Sequence, residues 1–218
     1  MIIQGSPEWF AARAGKVTAS RVADVIAKTK SGPSASRANY AAQLVAERLT
    51  GTVEPGFSNT AMQWGTDKEP DARNAYAFRY DADVEEVGFI DHFAIPMTGA
   101  SPDGLIGQIG LVEIKCPNTA THISTLLDGI VPPKYYTQIQ WQLDCCDRAW
   151  CDFVSFDPRL PDEMQLFVKR VHSDADYISG LRAEVEEFLA EVASTVDRLQ
   201  DAYGARPAGN GNTILDAG

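Results

Sequence analysis

The stretch from Ser101 to Lys115 constrains the fold most. It contains Ser101-Pro102-Asp103-Gly104 and then Leu111-Val112-Glu113-Ile114-Lys115. Pro-Asp-Gly is turn chemistry, and the run at 109–115 reads as a strand. Side chains alternate faces along a strand, so Glu113 and Lys115 point the same way as Ile109 and Leu111. Ile114 points into the opposite layer. Charged groups that end an apolar strand are costly to bury unless paired or bound to a metal. Asp103 stands ten residues before Glu113, a separation that a hairpin folds back on itself.

The periodicity around this segment changes twice. Ser6-Pro7 reads as a helix start that Gly15 ends. A second helix is expected from Thr18–Ser20, with Val22, Val25 and Ile26 on one face. Residues 28–37 read as a flexible polar loop. A third helix follows, with Tyr40, Leu44, Val45 and Leu49 inward and Gly51 just past its end. Residues 61–79 read as a helix that Pro70 should kink or break. Short strands are expected at 83–90, 95–100, 103–106 and 109–115, a helix at 134–146, and strands at 150–156 and 164–171. A long helix is predicted over 174–203, with Ser173 and Asp176 as its capping pair. Its apolar stripe, Ile178, Leu181, Val185, Phe188, Val192 and Leu199, packs either on its own domain or on another subunit. Helices, a central run of strands, then helices define an α+β or mixed α/β sheet protein. Residues 1–203 read as a single domain, and 204–218 as a flexible tail.

Charge and composition narrow the function. Of 218 residues, 44% are apolar and 22% charged, and the formal net charge is −11. These are ordinary values for a folded chain, and the acidity argues against broad adhesion to nucleic acid. Contact with DNA must then be local, through a focused basic surface or bound cations. No apolar run approaches the ~18 residues of a membrane span. The start, MIIQGSPEWF, lacks the pattern of a secretory signal, so a cytoplasmic protein with reduced thiols is expected. The four cysteines, Cys116, Cys145, Cys146 and Cys151, lack CxxC spacing and read as buried thiols rather than cluster ligands. His92, His122 and His172 show no ligand spacing and read as surface or loop residues.

Asp103, Glu113 and Lys115 suit magnesium chemistry. The ion takes a few carboxylates and keeps positions for water and phosphate oxygens. Hydrolysis of a phosphodiester needs charge stabilisation at phosphorus and a deprotonated water, and a lysine can hold that water. Alone, the pattern also fits an ordinary surface hairpin. Three neighbours add weight: Glu69 in Trp64-Gly65-Thr66-Asp67-Lys68-Glu69-Pro70, Gln138 in Tyr135-Tyr136-Thr137-Gln138, and the run Arg13-Ala14-Gly15-Lys16-Val17-Thr18-Ala19-Ser20. That run joins an arginine to a hydroxyl-rich helix start, where either phosphate binding or simple capping is served.

Taken together, from Trp9 to about Pro158, these motifs resemble the phage lambda-type alkaline exonucleases, the YqaJ-like viral recombinases of the PD-(D/E)XK nuclease class. The resemblance implies a restriction-endonuclease-like core, a central mixed β-sheet flanked by helices. It implies magnesium-dependent 5′-to-3′ digestion of one strand of linear duplex DNA. The product is a 3′ single-stranded tail for recombination with a single-strand annealing protein. It implies a homotrimeric ring in a bacterial cytoplasm, of phage or prophage origin. Asp103, Glu113 and the Ile114 carbonyl match metal ligands, and Glu69 matches an acid of a second Mg²⁺, for which Mn²⁺ can substitute. Lys115 matches the catalytic lysine, and Gln138 the glutamine beside it. Arg13, Ser20 and Ser101, with Thr18 close by, match the 5′-phosphate site. Two departures stand out: no basic residue follows Lys115 in Cys116-Pro117-Asn118-Thr119-Ala120-Thr121, and Pro70 directly follows Glu69. An endonuclease or flap nuclease of the same fold, and a non-catalytic DNA-end adaptor, are the alternatives.

Overall fold

The structure is a computed structural model that describes residues 2–30, 32–53 and 60–204. In chain order the elements are α1 (Pro7–Arg13), β1 (Val17–Thr18), α2 (Val22–Val25), β2 (Lys28–Thr29), β3 (Gly32–Pro33), α3 (Ala35–Thr50) and α4 (Thr60–Tyr80). Then come β4 (Val84–Glu85), β5 (Ile90–Asp91), β6 (Thr98–Ala100), β7 (Gly104–Ile106) and β8 (Gly110–Lys115). The chain continues through α5 (Thr119–Asp128), α6 (Pro133–Cys145), β9 (Trp150–Phe156), β10 (Leu166–His172) and α7 (Ala175–Tyr203).

A five-stranded sheet in the order β10-β9-β8-β7-β4 forms the centre. Strands β8 and β9 run parallel, and the other neighbours are antiparallel. The sheet is therefore mixed and covered on both faces. On one face Val112, Ile114, Val154 and Phe156 pack against Ala72 and Tyr76 of α4. On the other, Leu111, Cys151 and Phe153 meet Ile139 and Leu143 of α6. This is the alternation expected of residues 109–115, with Ile109 left exposed beyond the strand end. A smaller sheet, β1-β6-β5, lies beside it, and β1 runs parallel to β6. A third apolar cluster joins these parts: Val17, Val22, Tyr40, Leu44, Trp141, Leu181, Val185 and Phe188. Helix α7 thus packs on α3 and α6 of its own chain through the predicted stripe, except that Leu199 stays partly exposed.

Several local expectations are corrected. Residues 28–37 carry the antiparallel pair β2–β3 and the start of α3, which Ser34 caps by accepting from Arg37 N–H. Leu49 is exposed, because it falls off the inward face of α3. Helix α4 passes through Pro70 unbroken. Helix α5 was not anticipated. Its sequence TATHISTLLD is rich in β-branched residues, but Asn118 caps its start and Gly129, at φ 64°, ends it. Helix α7 is capped by Asp174, whose side chain accepts from Tyr177 N–H, not by Ser173 with Asp176.

His92 and His122 are buried rather than on the surface, since each finds partners for both ring nitrogens. His92 Nδ1 accepts from the N–H groups of Ala94 and Ile95, so its Nε2 carries the proton and donates to Asp144. His122 Nε2 donates to the Met164 carbonyl, and its Nδ1 accepts from the Ser155 hydroxyl. His172 is exposed at the end of β10. All four cysteines are free thiols, three buried and Cys146 partly so. No helix among the described residues is long and apolar enough to cross a membrane. The tail at 205–218 lies outside the described residues.

Candidate active site

Strands β7 and β8 form the hairpin that returns Asp103 to the end of β8. Gly104 pairs with Val112, and Asp103 Oδ2 accepts the Ile114 N–H at 2.6 Å. Gly104 is required there, because a Cβ would run into the Val84 side chain on β4. Glu113 is 1% exposed. Its Oε1 accepts from Gln138 Nε2 at 2.6 Å and pairs with Lys115 Nζ at 2.5 Å. Its Oε2 accepts from Gln142 Nε2 at 2.6 Å. Helix α6 thus presents two glutamines, one turn apart, to a single buried carboxylate.

Glu69 comes to the same centre from α4. It is held by Arg73, one turn on, at 2.5 Å, while Arg73 also pairs with Glu86 at 3.0 Å and donates to the Asp103 carbonyl. The acids load one another. Burial, and then the nearby Glu113 charge, push the Asp103 carboxyl well above its usual range, against the pull of Lys115. Burial also raises Glu69, with Arg73 opposing. Burial works against the Lys115 ammonium, but Glu113 and Asp103 outweigh it and hold the lysine charged. Burial, reinforced by Glu69 and Asp103, pushes the Cys116 thiol up to about 12, so it is not a nucleophile.

The donor chemistry fits a hard divalent cation. Asp103 and Glu113 bring carboxylate oxygens close together, and Gln142 Oε1 is buried with no hydrogen-bond partner. Among the described residues, no three acids, histidines or cysteines are gathered closely enough to encircle an ion. Lys115 and Arg73 supply the positive charge to Glu113 and Glu69.

Next to this centre is a cavity of about 150 Å³ whose lining includes Arg13, Thr18, Ser20, Ser101, Gln138 and Gln142. Arg13 lies over the Trp9 ring at 3.7 Å, and Trp9 Nε1 donates to Ser101 Oγ at 2.9 Å. Among the described residues no carboxylate reaches Arg13 at ion-pair distance, and burial lowers its pKa. Thr18 precedes a short 3₁₀ turn, Ala19–Arg21, yet its side chain makes no capping bond. Its hydroxyl lies 3.3 Å from Ser20 Oγ.

The structure therefore collects the predicted residues into two adjoining groups. Glu69, Asp103, Glu113, Ile114 through its N–H, Lys115 and Gln138 form one, and Arg13, Thr18, Ser20 and Ser101 the other. Gln142, Arg73 and Trp9 were missed. Each stands four residues from a predicted one, Gln138, Glu69 and Arg13, and helical spacing was the available signal.

This mixed sheet, with Glu113 and Lys115 at the end of β8, Asp103 at the turn before β7 and Glu69 on α4, is that of a nuclease of the alkaline exonuclease fold. The YqaJ-like viral recombinase domain matches residues 8–149, and the chain belongs to that family. The alkaline exonuclease LHK-Exo of Laribacter hongkongensis is 53% identical, with a TM-score of 0.84 over 90% of this chain and 97% of that one. Its crystal structure in complex with dAMP gives a TM-score of 0.85 at the same identity and coverage. A phage-related exonuclease of Haemophilus somnus shares the fold at 14% identity, with a TM-score of 0.63 over 86% of this chain and 96% of that one. An uncharacterized protein of Acanthamoeba polyphaga mimivirus is 31% identical over 128 residues, 53% of this chain. The chain spans 23% of that relative's length.

Proposed function

We infer that residues 1–203 form a single catalytic domain that digests one strand of linear duplex DNA from its 5′ end and leaves a 3′ single-stranded tail for recombination. One observation carries this reading: Gln138 and Gln142 hold Glu113 and also line the cavity of Arg13, Thr18, Ser20 and Ser101. A phosphate seated in that cavity would lie against the same two glutamines that hold the hydrolytic carboxylate. That arrangement selects strand ends, which favours an exonuclease over an endonuclease or an adaptor.

Asp103 and Glu113, with the Ile114 carbonyl, would hold Mg²⁺ or Mn²⁺, and Glu69 would serve a second ion. Bound there, the metal supplies charge stabilisation at the scissile phosphate and lowers the pKa of water. The protein's own groups do the rest. Lys115, kept charged by Glu113 and Asp103, orients the attacking water. Gln138 and Gln142 fix both oxygens of Glu113. Arg13, braced on Trp9, gives the terminal phosphate a charge-assisted contact, and Ser20, Ser101 and Thr18 offer hydroxyls. The dAMP held by LHK-Exo in its crystal structure is a deoxynucleoside monophosphate, the product class such digestion releases. Three copies closed into a ring, a single-strand annealing protein and a bacterial cytoplasm of phage or prophage origin complete the reading. Reduced thiols accord with that compartment.

End-labelled linear duplexes test it. Release of 5′-labelled mononucleotides, dependent on Mg²⁺ and faster from 5′-phosphate than from 5′-hydroxyl ends, is expected. Release from the 3′ end, or internal cleavage of closed circles, would overturn it.

A further inference from the structure

Glu47 is a buried carboxylate that the hydrolytic chemistry does not use. It lies on α3, 5% exposed; among the described residues no cation reaches it at ion-pair distance, and its charge acts on Arg13 only from longer range, a smaller effect there than burial. Its Oε2 accepts the Gly15 N–H at 2.8 Å, and its Oε1 accepts from Gln43 Nε2 at 2.7 Å. The next residue, Arg48, donates from Nε to the Gly15 carbonyl at 2.9 Å. Two consecutive side chains of α3 thus hold both polar backbone groups of one glycine.

That glycine makes the turn between the two segments that supply the Arg13 cavity. Gly15 has φ +68°, and a Cβ there would meet Arg48 Cγ at 2.6 Å, so the turn is bound to glycine by conformation and by contact. On one side α1 ends at Arg13, and on the other β1 delivers Thr18, with Ser20 following. A second cavity, of about 170 Å³, shares Arg13 and Thr18 with the first, and its lining includes Tyr40 and Glu47. Movement of the turn into that space would withdraw Arg13 from Ser20 and Ser101.

We propose that Glu47 is a positioning residue for 5′-phosphate selection, acting through its reach to the Gly15 N–H rather than through its charge. The inference rests on the reading of the Arg13 cavity as the phosphate site.

Two conservative variants separate reach from charge. Glu47→Asp keeps the charge but is one methylene too short for Gly15. Glu47→Gln keeps an oxygen for Gly15 and loses the charge, and the Gln43 amide can turn to match it at the cost of its exposed 3.3 Å bond from Arg21. The measurement is kcat/KM on duplexes with 5′-phosphate and 5′-hydroxyl ends, beside wild type and Arg13→Ala. Glu47→Asp should lower the phosphate-to-hydroxyl ratio about tenfold, towards that of Arg13→Ala, through KM for the phosphorylated end. Glu47→Gln should keep the ratio within about twofold of wild type. General destabilisation would depress both substrates alike and leave the ratio unmoved. A wild-type ratio in Glu47→Asp, or a collapsed ratio in Glu47→Gln, overturns the role of Glu47 alone. Absence of any preference in wild type removes the phosphate site itself, and this inference with it.

Discussion

Glu113 carries its carboxylate inside the protein, 1% exposed, and also faces the candidate catalytic centre. Three donors make that tolerable: Gln138, Gln142 and Lys115. Removing one leaves a buried charge under-satisfied. Gln142→Leu should therefore weaken Mg²⁺ half-saturation of digestion about 10- to 100-fold, the usual penalty for losing a group that orients a metal ligand. An unchanged Mg²⁺ titration would show that Glu113 needs no such support. Glu113→Ala or Asp103→Ala should lower turnover about a thousandfold or more, with the fold retained by circular dichroism. Lys115→Ala should cost about a hundredfold in turnover at saturating Mg²⁺, with metal affinity, read by calorimetry, moved far less. The sequence already put Glu113, Lys115 and Ile114 on their proper faces, because strand alternation is a local rule. It did not reveal that Lys115 closes onto Glu113 itself, nor that Gln142 joins it. Both depend on how α6 docks on the sheet, which no local period encodes.

Helix α6 is the element on which the site depends. Its sheet-facing residues, Ile139 and Leu143, are buried under β8 and β9, while Trp141 faces the α3–α7 cluster and donates to Thr98. Near its end, Asp144 takes a two-pronged ion pair from Arg182 of α7 and a hydrogen bond from His92. Burial pushes the Asp144 carboxyl up, but Arg182 and His92 outweigh it and hold it below its usual range. Asp157 is likewise lowered to about 2, because Arg159 overcomes the cost of burial. Both groups have the higher pKa in the unfolded chain, so unfolding takes up protons. Their contribution to stability is full above about pH 4, the unfolded carboxyl value. It falls as the pH drops towards about 2, where Asp157 itself protonates. Urea unfolding at stepped pH should show this decline, and Arg182→Ala should remove the part due to Asp144. A denaturation midpoint flat from about pH 4 to pH 2.5, below the range in which the raised Asp103 and Glu69 carboxyls act in the opposite sense, would contradict it. Gly104→Ala tests the hairpin in the same way: its Cβ would strike Val84, for an expected cost of about 1–3 kcal/mol and a displaced Asp103. Strands and long helices were legible because their periods are strong. Helix α5 was missed because its β-branched residues obscure a helix that its two caps and its docking on β9 stabilise.

At the scale of the molecule, the question is how an acidic protein stays on DNA. The formal charge of −11 opposes a duplex at long range. Many cations already stand in ion pairs within the chain, such as Lys28 with Glu184, Arg37 with Glu191 and Arg170 with Asp152. Arg13, partly buried over Trp9, is among the described cations that no carboxylate pairs. Bulk attraction therefore cannot hold the enzyme through many cycles, whereas enclosure can. A closed ring of three copies, a symmetry in keeping with most soluble oligomers, would thread the DNA and present each Arg13 cavity to the strand end in turn. Helix α7 gives its main apolar stripe to its own chain, so the contacts of such a ring would use other surfaces. Two measurements follow. Binding should lose affinity only gently with salt, with a log–log slope of about −2 to −3, in place of the slope near −10 of proteins that neutralise many phosphates. Digestion once begun should continue when excess unlabelled duplex is added, since a threaded enzyme cannot exchange. Sedimentation should report a trimer at the same concentration. Monomers throughout, or arrest on adding competitor, would mean that each cleavage begins from a fresh encounter and that topology does not retain the enzyme.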